Sequence, residues 1–201
     1  MPARPMTIVL CLLSCVLCAE VAHAQAAPTQ LGPKETLLSW DFEDKTADQV
    51  LPWYQAGTED EKKLASAFVT QALSTTRLAK VARVKWGHNA AVFITHLCHT
   101  DTPEDDSAAT VTVRGDHATL KCNVREMLPL FLVRRDGAWR VDLTTYAHNL
   151  GEQLPWAIKY CQRSAEVTDQ IAADITAGKY SAAEDAIDAV KKAFAVLDVE
   201  P

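Results

Sequence analysis

Past its first two dozen residues the chain has no apolar run approaching the roughly 20 residues that a membrane-spanning helix needs, so no such helix is expected there. Cationic charge is scarce: 20 Lys and Arg stand against 26 Asp and Glu, a formal net charge of −6. That sign argues against nucleic acid or an anionic membrane as the partner. Also missing are the Gly-x-Ser-x-Gly elbow, the phosphate loop, the dinucleotide fingerprint and the His-Glu-x-x-His helix. With them go the common hydrolase, nucleotide-binding and metalloprotease readings. No internal repeat is evident.

What is present begins with Arg4, the apolar run Thr7 to Ala19, and Ala22-His23-Ala24, the small-x-small pattern that signal peptidase reads. Residues 1–24 are expected to be a secretory signal, which makes the product exported, periplasmic or extracellular. Two alternatives are a transmembrane anchor, for which the run is short, and a lipoprotein site at Leu12-Leu13-Ser14-Cys15, which leaves little apolar core upstream of Cys15. Residues 25–201 suffice for one domain with a sizeable core and an appendage.

The stretch from Ala108 to Leu143 reads as four antiparallel strands. Ala109, Val111 and Val113 alternate with Thr110, Thr112 and Arg114, and Ala118, Leu120, Cys122 and Val124 alternate with Thr119, Lys121, Asn123 and Arg125. A period of two means one buried face and one wet face. Gly115-Asp116 supplies the turn between them, because glycine reaches positive φ freely and aspartate bonds its own backbone. Pro129 opens a third run, Leu130 to Val133, apolar on both faces and expected to be the best covered. Asp136-Gly137 is a strong hairpin signal, and beyond it Trp139, Val141 and Leu143 alternate with Arg140 and Asp142.

Upstream the pattern is helical. Pro33 suits a first turn, Thr46 with Gln49 and Thr58 with Glu61 form capping boxes, and the rows Leu64, Phe68, Ala72 and Ala65, Val69, Leu73 lay an apolar stripe on a long helix ended by Gly87. Ala90 to His99 suits either a buried strand or a helical turn and is read as a strand. Downstream, helix resumes through Thr144 to Leu154. Pro155 starts a helix whose inward face is Ile158, Cys161, Ala165, Thr168, Ile171 and Ile175, and Ser181 with Glu184 caps a last one carrying Ile187, Val190, Phe194 and Leu197. This terminal pair either packs on the open face of the sheet or forms an interaction arm; packing is favoured, since isolated helix pairs bury too little.

The motifs Val113-Arg114-Gly115-Asp116-His117-Ala118, Pro129-Leu130, Val133 and Asp136-Gly137-Ala138-Trp139-Arg140-Val141-Asp142, placed after two short helices and a long one, resemble the NTF2-like (cystatin-like cone) superfamily. The likeness is to its small secreted bacterial members, lumazine-binding-like and uncharacterised, and covers about Lys34 to Leu143. It implies an α+β fold in which N-terminal helices pack on a curved antiparallel sheet to leave a conical cavity. Some members use that cavity for isomerase, dehydratase or hydrolase chemistry, and many only for binding or dimerisation. The domain plan is then a signal (1–24), an NTF2-like domain (25–151) and a C-terminal antiparallel helix pair (152–201), a departure from the superfamily pattern that either plugs the cavity or covers the sheet.

Trp53, Tyr54, Phe68, Trp86 and Trp139 are the ligand-pocket candidates, with plain core as the competing role. His96, Cys98, His99 and Asp101 carry metal-capable side chains but lack the two separated pairs of a structural zinc site, so no metal or other cofactor is expected. No catalytic residue is singled out, because His117, Asp116 and Asp142 fall at turns or on the wet parity. Cys98, Cys122 and Cys161 lie past the expected cleavage point and allow at most one internal disulfide. With the turn at Gly115-Asp116, Ala109 falls opposite Cys122 and Cys98 lies just across the acidic loop. A Cys98–Cys122 bond is therefore expected, provided Cys98 is already in the loop; three buried thiols are the alternative. The expected function is non-catalytic binding of a small molecule or a protein, a homodimer among the options, with a cone-fold enzyme as the alternative.

Overall fold

The computed structural model describes residues 31–98, 110–121 and 129–197. Two short helices, α1 (Pro33–Leu38) and α2 (Ala47–Val50), lead through the 3-10 turn Leu51–Trp53 into β1 (Tyr54–Gln55). The long α3 (Glu59–Trp86) and α4 (His88–Leu97) follow, then the strands β2 (Thr110–Arg114), β3 (His117–Lys121), β4 (Leu130–Arg135) and β5 (Ala138–Asp142). Helices α5 (Leu143–Leu150), α6 (Leu154–Thr176) and α7 (Ala183–Leu197) complete the order. The architecture is α+β, and no helix among the described residues is long and apolar enough to cross a membrane.

The meander forms with the expected turns. Asp136 and Gly137 both have positive φ, 52° and 80°, the combination a two-residue type I′ hairpin demands. β4 lies between β3 and β5 and buries Leu130, Leu132 and Val133, as expected of the best-covered strand. Two features differ from the purely antiparallel reading. Tyr54 and Gln55 add an edge strand that runs parallel to β5, opposite Val141 and Asp142, so the five-stranded sheet is mixed, in the order β1-β5-β4-β3-β2. Two extended residues between a 3-10 turn and a helix cap carry no periodicity that sequence could reveal. At the other edge, the face of β2 expected to be buried is covered only in part: Val111 packs against the core, but Val113 is 51% exposed, and no strand lies beyond it among the described residues.

Helix α3 starts where the Thr58 side chain accepts a hydrogen bond from the Glu61 amide and the Glu61 carboxylate reaches back to the Thr58 amide. Its two predicted apolar rows are buried, and so are Gln71, Ser74 and Thr75. The extra covered side comes from α6. Gln71 meets Ser164, Arg77 meets Asp169 and Lys85 meets the Ile175 carbonyl, so the two helices run parallel, side by side. The terminal helices therefore do not lie on the open sheet face: α6 packs along α3, and α7 packs against α6 and α4. Hiding a core side chain such as Leu64 or Phe68 is worth about 1.5–3 kcal/mol.

Gly87, at φ 90°, breaks the chain between α3 and α4. The segment expected as a strand over 90–99 is helix as far as Leu97, His99 lying outside the described residues, and the reason is in the spacing: Ala91, Ile94, Thr95 and Cys98, at i, i+3, i+4 and i+7, are buried while Asn89 and Phe93 are exposed. The helix expected from Thr144 to Leu154 is interrupted after Leu150 at Gly151, φ 51°, before α6 begins with Pro155 in its first turn. At the last helix the acid that reaches back is Asp185, which accepts bonds from Ser181 Oγ and the Ala182 amide, where Glu184 was expected.

Candidate functional site

The densest chemistry lies where β1, α3, β5 and α5 converge. Trp40 stacks on Trp53 with ring centroids 5.0 Å apart and touches Tyr54 at 6.1 Å, while Phe42 meets Trp53 edge-on at 5.1 Å. Tyr54 lies 6.4 Å from Phe68, Phe68 lies 6.3 Å from Tyr146, and Tyr146 lies 5.4 Å from Phe131. Seven rings thus form one contiguous chain with offset and edge-to-face geometries that suit aromatic quadrupoles. Of the pocket candidates, Trp53, Tyr54 and Phe68 belong to it. Trp86 stands apart at the end of α3, half-buried, with Lys85 Nζ 4.9 Å from its ring. Trp139 is buried on β5, its ring 5.6 Å from the guanidinium of its cross-strand partner Arg134.

Two buried carboxylates flank these rings, and each grips one of two consecutive threonines in the first turn of α5. Glu61 Oε2 accepts from the Gly57 and Thr58 amides and from Thr144 Oγ1 at 3.1 Å. Burial pushes the Glu61 carboxyl up, but the bonds from the Gly57 and Thr58 amides and the Thr144 and Thr58 hydroxyls outweigh it and leave the group below the ordinary glutamate range. Asp142 caps α5: Oδ1 accepts from the Thr145 amide at 3.2 Å and Oδ2 from Thr145 Oγ1 at 2.7 Å. The wet position expected for Asp142 is overturned, since its side chain is only 10% exposed. Strand parity fails there because Asp142 is both the last residue of β5 and the cap of the following helix. His117, largely exposed at the start of β3, places Nδ1 3.9 Å from Asp142 Oδ2. Asp116 pairs with Arg134 at the surface.

Burial raises the Tyr54 hydroxyl well above its usual range, with a smaller contribution from the Cys161 thiol. The Cys161 thiol is itself raised by burial, and burial pushes the Cys98 thiol up to about 12 against a smaller lowering by the Thr168 hydroxyl. Cys98 is a free thiol at the end of α4 with Sγ 3.6 Å from the Ile94 carbonyl; Cys122, its expected disulfide partner, lies outside the described residues. So do His99 and Asp101, and among the described residues no group of three His, Cys, Asp or Glu side chains is placed to hold a metal ion.

Chemically the arrangement offers an apolar aromatic interior whose acids already accept hydrogen bonds. Sequence reasoning missed Glu61 and Asp142 as a pair, and it missed Phe42, Tyr146 and Phe131. The adjacent Thr144-Thr145 directly after a strand ending in aspartate was the available signal, an N-cap motif at a strand-to-helix junction. No protein-family model matches the chain, and neither the curated proteins nor the solved structures give a match.

Proposed function

We propose that the chain is an exported α+β domain on the NTF2-like plan that binds a partner, a small molecule or a protein, and catalyses no reaction. What carries this reading is the state of the two buried carboxylates. A general base must be free to turn a lone pair towards substrate, and Glu61 and Asp142 are instead held in place by the protein's own donors: Glu61 Oε2 accepts from the Gly57 and Thr58 amides and Thr144 Oγ1, and the two oxygens of Asp142 from the amide and hydroxyl of Thr145. The rings that an NTF2-like cavity would expose, Tyr54 and Phe68, are buried against one another, which favours recognition through the outer surface. A thermal-shift screen of metabolites with parallel assays for ester, epoxide and isomerase turnover tests it. A ligand at a hundred times its dissociation constant adds about 2.7 kcal/mol. Binding without turnover supports the reading, and turnover abolished by Asp142→Asn overturns it.

A cone-fold enzyme is the second reading, favoured by one observation, the 3.9 Å approach of His117 to Asp142. Loss of any measured turnover in His117→Ala would carry it. Export rests on Arg4, the apolar run to Ala19 and Ala22-His23-Ala24. Amino-terminal sequencing from the envelope fraction is expected to begin at or near Gln25; an intact Met1 or an acylated Cys15 overturns that expectation.

A further inference from the structure

The two edges of the sheet are built differently. β5 is covered at the Val141–Asp142 end of its outer side by the short β1, whereas nothing among the described residues pairs with the outer side of β2. The chain turns from β2 to β3 through two residues, Gly115 and Asp116, with Arg114 opposite His117. In such a hairpin the closing pair exchanges both hydrogen bonds, and hydrogen-bonded pairs then alternate along the ladder. Thr110, Thr112 and Arg114 therefore direct their amides and carbonyls at β3, while Val111 and Val113 direct theirs away from the sheet. The side chains of the same two valines extend rows that are otherwise hidden. Along Tyr54, Val141, Leu132, Ala118 and Val113 the exposures are 8%, 0%, 1%, 3% and 51%. Among the described residues, backbone and apolar row are both open at the same place.

We propose that the outer edge of β2 docks a second copy of this chain, strand against strand and antiparallel, about a two-fold axis at Thr112. The sequence Thr-Val-Thr-Val-Arg is self-complementary in that register. Val111 falls opposite Val113 of the partner subunit, so the outward groups on the two valines of each strand meet and form four backbone hydrogen bonds. Thr112 faces its own symmetry mate. Thr110 faces Arg114 of the partner subunit, which keeps the only charged residues of the two strands at opposite ends; a parallel, in-register pairing would set arginine beside arginine. The valine rows of the two sheets become continuous, joining two five-stranded sheets into one. β2 also lacks most of the devices that discourage such pairing: it has no proline, no lysine and no bulge, and its one charge, Arg114, stands at its end. This inference goes beyond the binding reading above and stands whether or not a ligand is found.

The interface is small, so micromolar dimerisation is expected, and sedimentation of the protein from about 1 to 300 µM covers that range. A reversible monomer–dimer equilibrium is expected. Val113→Pro removes an outward amide without touching the β2–β3 ladder, and Val113→Lys places a charge on the open row. Each should weaken dimerisation at least tenfold while leaving the circular dichroism unchanged. If the proline variant fails to fold, the lysine variant carries the comparison alone. Thr112→Cys in a Cys122→Ser background, mildly oxidised, should give a covalent dimer, because a non-hydrogen-bonded antiparallel pair holds Cα atoms about 4.5 Å apart, within disulfide range. A monomer at every concentration, a dimer indifferent to the folded variants, or a dimer that Thr112→Cys does not lock would each overturn the proposal.

Discussion

Thr144 Oγ1 donates a hydrogen bond to the Glu61 carboxylate 3.1 Å away, across 83 residues of sequence. That bond ties the first turn of α5 to the first turn of α3 and brings the end of the sheet to the start of the long helix. Because Glu61 is 5% exposed, its carboxylate depends on protein donors rather than water, and the exposed Thr144 supplies one of the three on Oε2 beside the Gly57 and Thr58 amides. Glu61→Gln and Thr144→Val are each expected to destabilise by about 1–3 kcal/mol in urea titrations, with a coupling of about 0.5–1.5 kcal/mol in the double-mutant cycle. Additive effects would mean that the contact carries no stability.

The same carboxylate makes stability depend on pH in a definite sense. Its folded value lies below the ordinary 4.5, so the folded state holds the charged form more tightly than the unfolded chain does. The stabilisation is fully present above the unfolded value and is lost as pH falls through the folded one. The stability gap between the natural chain and Glu61→Gln should therefore be largest near neutrality and shrink as pH falls below the ordinary glutamate range, because protonation leaves glutamic acid, like glutamine, uncharged. A gap that is constant from pH 7 to pH 3 would contradict the assignment.

The meander was legible because its turns are made by residues with few alternatives: Asp136-Gly137 at positive φ leaves little but a tight hairpin. Thr58 and Glu61 marked the start of α3 for the same reason, a local hydrogen-bond pattern written in two side chains. What stayed hidden depended on distant segments. Ala91, Ile94, Thr95 and Cys98 did carry helical spacing, but Ala-Ala-Val-Phe-Ile read alone suits a strand equally well, and packing decided. The rings of Trp40, Trp53-Tyr54, Phe68 and Tyr146 come from four stretches of sequence that only the fold assembles. The parallel pairing of α3 with α6 left no trace in either helix beyond the small polar residues Ser164 and Thr168 on an inward face.

Gln71 Nε2 donates to Ser164 Oγ at 3.1 Å in the middle of that helix pair, with both residues 1% exposed. A buried hydrogen bond of this kind adds little over a well-packed apolar contact, whereas half of it is costly. Ser164→Ala alone should destabilise by about 1–3 kcal/mol. Gln71→Met with Ser164→Ala should recover most of the loss, because both polar groups are then gone and the volume is nearly kept. Chemical denaturation of the two variants decides it, and a double variant less stable than Ser164→Ala would show that the amide has a further role.

Cys98 and Cys161 are 1% and 0% exposed, and burial raises both thiols far above the pH at which alkylating reagents act. Only the thiolate attacks, and it must also be reachable, so both cysteines should be inert to iodoacetamide at pH 8 in the folded protein. In denaturant their pKa values return to about 8.5 and the protection ends. Peptide mapping after labelling with and without urea is expected to find Cys98 and Cys161 modified only in the denatured sample. A Cys98–Cys122 disulfide would give a different pattern, with Cys98 unlabelled in urea until reductant is added while Cys161 labels without it. Labelling of Cys161 in the folded protein would mean that α6 opens away from Tyr54 and α3 on the timescale of the reaction, and that the helix pair is held less firmly than its buried face requires.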